Sequence, residues 1–300
     1  MTAQLGELAA LTTAVLFSFS SSFFTLAGRR IGPLMLNRLR LVLTVGWLLL
    51  AHAVLRLPLP FQAGSERWFW LGLSGIVGLV LGDAFLFQAF ISIGPRLTML
   101  LMALAPALAS LAAWVFLGEA LSGMQILGIL LTLAGIGWVV QERIGPTQII
   151  PGDRSQYLRG LLYGLGAAAG QAGGLVLAKP GTGGDFPAAS ATLIRMISAA
   201  VVLWLYTLLR GQAGETMRKI AAQPPVLRMA LAGSFIGPFL GVTLTMYAIQ
   251  HTQVGIASTL SSLTPIFLLP IGYFFFKEKF GWQAIAGTLL SMVGVALLFL

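Results

Sequence analysis

The chain has 300 residues, 57% apolar and only 9% charged, with a mean hydropathy of +0.91, so too few polar residues are present to build a water-facing surface. Its formal net charge of +9 comes from 18 Lys and Arg scattered between apolar runs, which make no basic domain or arm and exclude a nucleic-acid binder. Cysteine is absent, which excludes disulfides and thiolate metal sites.

A bilayer-spanning helix needs about 20 mainly apolar residues. Cutting the chain at Pro, Gly and charge gives five such spans in the first half: Leu5 to Leu26, Leu34 to Leu55, Trp68 to Phe90, Leu97 to Leu117 and Gly123 to Val140. The first of these is expected to remain as a helix rather than be cleaved as a leader, because Glu7 precedes it and Gly28, Arg29 and Arg30 stand where a cleavage site would lie. The polar stretch from Gln141 to Tyr157, with Pro146 and Pro151, follows. Five more spans are then expected: Leu158 to Ala178, Pro187 to Leu209, Leu227 to Ile249, Gly255 to Phe276 and Trp282 to Leu300. The expectation is an all-α integral membrane protein of ten transmembrane helices, divided into repeats 1–141 and 158–300 joined by a linker at 142–157.

Sliding one half over the other supports the repeat. An offset of 159 places Gly78 on Gly237, Leu81 on Leu240, Gly82 on Gly241, Ala89 on Ala248, Pro106 on Pro265, Glu119 on Glu278, Gly128 on Gly287 and Gly135 on Gly294, and an offset of 155 places Arg40 on Arg195. Five spans per half is an odd number, so the halves enter the membrane in opposite senses. Inverted repeats of this kind characterise secondary transporters, whose substrate site lies near the midplane between the halves.

Basic residues set the expected orientation. Odd-numbered connections hold Arg29, Arg30, Arg96, Arg143, Arg154, Arg159, Arg210, Arg218, Lys219, Arg228, Lys277 and Lys279, whereas even-numbered ones hold Arg56, Arg67 and Lys179. Short cytoplasmic loops are enriched in Lys and Arg, which places both termini outside.

Polar residues inside spans are the candidate site, since they are costly in lipid and face a cavity or another helix. The first span offers Ser18, Ser21, Ser22 and Thr25 on one face, although serine is also ordinary interhelical glue. The third offers Asp83 and Gln88, and the sixth Tyr163 and Gln171. The eighth adds Thr243, Tyr247, Gln250 and His251. The ninth presents Ser258, Ser261, Ser262 and Pro265, whose repeat equivalents in the fourth are Met99, Met102, Ala103 and Pro106. Hydroxyls on one wall and adaptable thioethers on the other suit zwitterions with apolar side chains; core filling is the plainer role for the methionines.

Asp83 is the one acidic residue well inside a span. It either meets a substrate amine or a proton, or pairs structurally with Arg40, Arg38 or Arg195; its repeat equivalent is Val242. Glu119 and Glu278 end their spans and read as local caps. Pro106 and Pro265 each remove a helix hydrogen bond, giving either gates or static kinks in the fourth and ninth spans. The pairs Gly78/Gly82, Gly160/Gly164, Gly170/Gly174 and Gly237/Gly241 are GxxxG faces for close helix approach. His52 and His251 are too few for a metal site, and no cofactor is expected.

The segments ALAPALASLAAWVFLGEALSGMQILGILLTLAGIGWVV and SLTPIFLLPIGYFFFKEKFGWQAIAGTLLSMVGVALLF resemble the repeat signature of the drug/metabolite transporter superfamily, in its ten-helix branch with two EamA domains. The resemblance covers nearly the whole chain. It implies a ten-helix basket around a central cavity, in a bacterial inner membrane, exporting amino acids or similar small metabolites by alternating access. Phosphorylated sugars and nucleotide sugars are the second substrate class it implies; for these the sequence supplies only Arg38, Arg40 and Arg195 as phosphate partners, near span ends where they can snorkel. A channel or structural subunit is a further alternative. No HExxH, GxxxxGK or paired intramembrane carboxylates suggest an enzyme. The expected partners are a small-molecule substrate and lipid, with a monomer sufficing.

Overall fold

The computed structural model describes residues 2–108, 111, 122–144, 154–182, 186–251, 260–277 and 281–297. Among them every regular element is a helix. In the first half, α1 (Thr2–Ile31) turns at Gly32 into α2 (Pro33–Val54), and the φ of 86° at Gly32 is one that residues with a Cβ rarely adopt. Pro33 then starts α2 where a missing N–H costs nothing. The same Gly–Pro device recurs at Gly94, φ 83°, between α4 (Asp83–Ile93) and α5 (Pro95–Met102). Preceding α4 is α3 (Ser65–Gly75), and a π-helical turn, Ile76–Gly82, joins the two into one rod. The half ends with α6 (Gly123–Ile144).

The second half follows the same order: α7 (Arg154–Ala178), α8 (Ala188–Leu209), a short α9 (Ala213–Ala221), then α10 (Pro224–Ser234), a π-helical turn at Phe235–Gly241 and α11 (Val242–His251). The helices α12 (Thr264–Phe276) and α13 (Trp282–Leu297) complete it. Among the described residues seven helical runs are long and apolar enough to cross a membrane, and the shorter apolar helices Pro95–Leu108, Thr264–Phe274 and Trp282–Leu297 fall at the three remaining expected spans. The all-helical architecture with two repeats is that of an inverted-repeat membrane protein.

Lipid offers no hydrophobic drive for helices to associate, so backbones must approach closely wherever they pack. The tightest approaches cross between the halves. Gly82 and Gly78 of the α3–α4 rod lie directly on Gly170 and Gly174 of α7, and a Cβ on Gly170 would stand 2.6 Å from the Gly82 Cα. In the second half, Gly233, Gly237 and Gly241 of the α10–α11 rod receive Phe24, Ser20 and Phe17 of α1, with Ser20 Oγ donating to the Gly233 carbonyl at 2.9 Å. The α6–α13 pair shows the pseudo-symmetry most directly. Gly135 meets Gly287 and Ser291, while its repeat equivalent Gly294 meets Gly128 and Thr132.

The fourth and ninth spans are interrupted at equivalent places. Tight turns at Ala103–Leu104 and Ser262–Leu263 carry i→i−3 hydrogen bonds, Leu104 N to the Leu101 carbonyl at 3.0 Å and Leu263 N to the Leu260 carbonyl at 3.2 Å. Pro106 and Pro265 therefore sit at the start of the next helical stretch rather than inside a continuous helix, so they follow a break instead of kinking a rod. Near the start of α2, Arg38 donates to Gln212 Oε1 at 2.8 Å and to Thr216 Oγ1 at 2.9 Å, which ties the short α9 to α2. On the exposed face of α9, Lys219 hydrogen-bonds Glu215 and holds its carboxyl below the usual range.

Candidate functional site

The two π-helical turns coincide under the repeat, Ile76–Gly82 falling on Phe235–Gly241 at the 159-residue offset. A π turn widens the helix by one residue and frees backbone groups, and such turns recur at functional sites. In the first, the Leu79 carbonyl accepts a hydrogen bond from Asn37 Nδ2 at 2.9 Å. In the second, Pro238 lies inside the helix and supplies no N–H, which the widened turn tolerates. The residues immediately after the turns, Asp83 and Val242, together with Leu79 and Pro238 within them, border one cavity of about 160 Å³ between the halves.

The polar side of that cavity is formed by Asp83, Arg40, Gln171, Ser20 and Ser21. Arg40 is buried and pairs with the buried Asp83 through Nη2, which also donates to Asn37 Oδ1 at 3.0 Å. Asn37 thus links the ion pair to the π turn. Burying both charges is costly, and only such geometry, with further hydrogen bonds, offsets the loss of water. The Arg40 guanidinium also lies 5.3 Å from the centre of the Phe87 ring, within cation–π range.

The remaining wall is apolar and adaptable. Phe24 meets Phe87 edge-on with centroids 5.4 Å apart, Phe87 meets Phe90 at 5.9 Å, and Phe17, Met99, Met102 and Met196 extend the surface. A site with one charged, hydrogen-bonding side and an aromatic and thioether side fits a small molecule with a polar head and an apolar body.

Of the residues singled out from sequence, Ser21, Asp83, Met99, Met102 and Gln171 border this cavity. Others lie elsewhere. Ser18 donates to the Ala14 carbonyl at 2.8 Å and to the Thr264 carbonyl at 3.1 Å, and Ser22 to the Ser18 carbonyl at 2.9 Å. Thr25 and Thr243 likewise bond a carbonyl one turn back, at Ser21 and Phe239. Gln88 reaches Ser92, Tyr163 stacks on Phe85 with centroids 6.2 Å apart, and Tyr247 is 37% exposed. Ser261 and Ser262 are partly buried, the Ser261 Oγ without a hydrogen-bond partner. Ser258 and the side chains of Gln250 and His251 lie outside the described residues, as do Glu119 and Glu278.

Sequence reasoning named Arg40 only as an ion-pair partner of Asp83 or a phosphate partner near a span end, and missed Ser20, Met196 and the four phenylalanines as lining residues. The phenylalanines carry no signal, because an aromatic side chain facing a cavity reads like one facing lipid.

The EamA-like transporter family model matches residues 4–141 and 158–300. No curated protein matches the chain by sequence. Among solved structures, one crystal structure of a protein superimposes with a TM-score of 0.67 over 97% of this chain and 95% of that one, at 18% identity, which is a likeness of fold.

Proposed function

The chain belongs to the EamA-like transporter family, and from that premise we propose that it exports amino acids or similar small metabolites across the bacterial inner membrane by alternating access. The observation that carries this reading is the inter-half cavity, in which Asp83, Arg40 and Gln171 face Phe17, Phe24, Phe87, Met99 and Met102. A carboxylate and an amine find partners on one side, and an apolar side chain packs on the other. The repeats are taken as 1–141 and 158–300 with a linker at 142–157, and the termini as periplasmic. The breaks before Pro106 and Pro265 supply the hinges, since discontinuous helices at matching places in two repeats mark transporter sites. Gating by these prolines belongs to the same reading.

The phosphorylated-sugar alternative loses a cation, because Arg38 is engaged by Gln212 and Thr216. Reconstituted liposomes decide. Saturable uptake of a labelled amino acid pool, competed by unlabelled substrate and accelerated by substrate on the far side, is the expected result. Flux that rises linearly with concentration overturns the carrier reading in favour of a channel. Absence of flux for amino acids overturns the substrate class.

A further inference from the structure

The two halves do not carry the same charge. Arg40 and Arg195 occupy equivalent positions on α2 and α8, and both are buried. Asp83, the partner of Arg40, is matched in the second half by Val242, and both of these residues border the cavity. One half therefore holds an ion pair and the other only the cationic member of it.

Arg195 is 7% exposed, its Nε meets no hydrogen-bond acceptor, and among the described residues no carboxylate forms a direct ion pair with it; Asp83, paired with Arg40, acts on it only from longer range. Its guanidinium lies near Gln171, which borders the cavity. A methyl group at Gly78 would stand 3.5 Å from Arg195 Nη2 and 3.8 Å from Gln171 Oε1, and both Gln171 and the following residue, Met196, border the cavity. Arg40, Asp83 and Arg195 together leave a surplus of one positive charge at this depth. An uncompensated buried cation is costly, and ionisable residues within spans mark substrate pathways.

A zwitterion leaves that surplus in place, whereas a monoanion cancels it. We propose that the cavity selects a small organic anion of net charge minus one, a carboxylate on an apolar body, with the carboxylate held between Arg195 and Arg40 and the body against Phe24, Phe87 and Met99. An α-ammonium group is not required for recognition, so within the amino acids and similar small metabolites of the reading above the site favours the members that lack one. The inference rests on the transporter reading for its route across the membrane but not for the binding site, so the two fail separately.

The probes are 3-phenylpropanoate, phenylalanine and 3-phenylpropan-1-amine, matched in body and differing in charge. Thermal unfolding of the purified full chain in detergent reads binding, and liposome flux reads transport. The expected result is that 3-phenylpropanoate raises the unfolding midpoint at concentrations at least about tenfold lower than phenylalanine, and that the amine has no effect. Arg195→Gln is expected to remove the anion shift and Arg195→Lys to retain part of it. Equal or stronger response to phenylalanine or the amine overturns the proposal, as does an undiminished anion shift in Arg195→Gln. Should Arg195→Gln fail to fold, the three-probe ranking on the unaltered chain and on Arg195→Lys decides by the same criteria. Anion binding without flux of any probe overturns the transporter reading and leaves the anion site standing; amino acid flux without anion preference does the reverse.

Discussion

At Asp83 a single carboxylate holds Arg40, borders the cavity and follows a π-helical turn, so its structural and functional roles are separable only by replacing both partners. Asp83→Asn leaves Arg40 buried without a counter-charge, and breaking a buried pair in this way costs about 3–5 kcal/mol. The double change Arg40→Met with Asp83→Val removes both charges, and we expect most of the lost thermal stability to return in detergent unfolding while uptake is lost in both variants. Recovered uptake in the double variant would make the pair purely structural. The serines of α1 divide by position: Ser18 and Ser21 both donate to backbone carbonyls, but only Ser21 borders the cavity, so Ser18→Ala is expected to leave the KM of uptake unchanged and Ser21→Ala to shift it. Sequence reasoning placed both serines on one face because helical spacing gives angle but not neighbour. Which hydroxyl points into a cavity depends on how α12 and the second rod pack against α1, and no local pattern encodes that.

Helix positions were legible in the sequence because lipid imposes one length on every span, so apolar runs and Gly–Pro junctions such as Gly32–Pro33 and Gly94–Pro95 mark the ends directly. The GxxxG pairs also announced close contact. What the pattern left open is the partner: Gly78 and Gly82 found a second GxxxG at Gly170 and Gly174, but Gly237 and Gly241 received Ser20 and Phe17, and Gly160 and Gly164 received Ile93 and Leu101. The π-helical turns were not legible at all, since neither Ile76–Gly82 nor Phe235–Gly241 differs in composition from an α-helical run apart from Pro238. Packing at this scale is testable on α6. A Cβ at Gly135 would lie 2.5 Å from the Gly287 carbonyl oxygen and 2.5 Å from Ser291 N, whereas one at Gly137, two residues away, meets nothing within 4 Å. Gly135→Ala should destabilise by about 1–3 kcal/mol through overpacking against backbone. Gly137→Ala should stabilise by about 0.5–1 kcal/mol, because alanine loses less backbone freedom in a helix. Unfolding midpoints of the two variants, moving in opposite directions, are the check.

The whole molecule is organised by contacts that cross between its halves: α6 lies on α13, the first rod on α7 and the second rod on α1, so neither repeat presents a complete packed surface without the other. That interdigitation explains why the cavity lies at the repeat interface, where Gln171, Met196, Pro238 and Val242 of the second half close a wall built mainly by the first. It also makes orientation a property of the entire chain. Because the chain contains no cysteine, single cysteines report it directly. Gln62 is exposed in the connection between the second and third spans, an arginine-poor side, and Ala222 is exposed between the seventh and eighth, where Arg210, Arg218, Lys219 and Arg228 gather. With basic loops retained inside, Gln62→Cys should react with a membrane-impermeant maleimide in intact cells, and Ala222→Cys only after permeabilisation. The reversed labelling pattern would turn the molecule over in the membrane and exchange the two mouths of its pathway. Labelling of both sites in intact cells would break the odd span count from which the inversion of the repeats is argued.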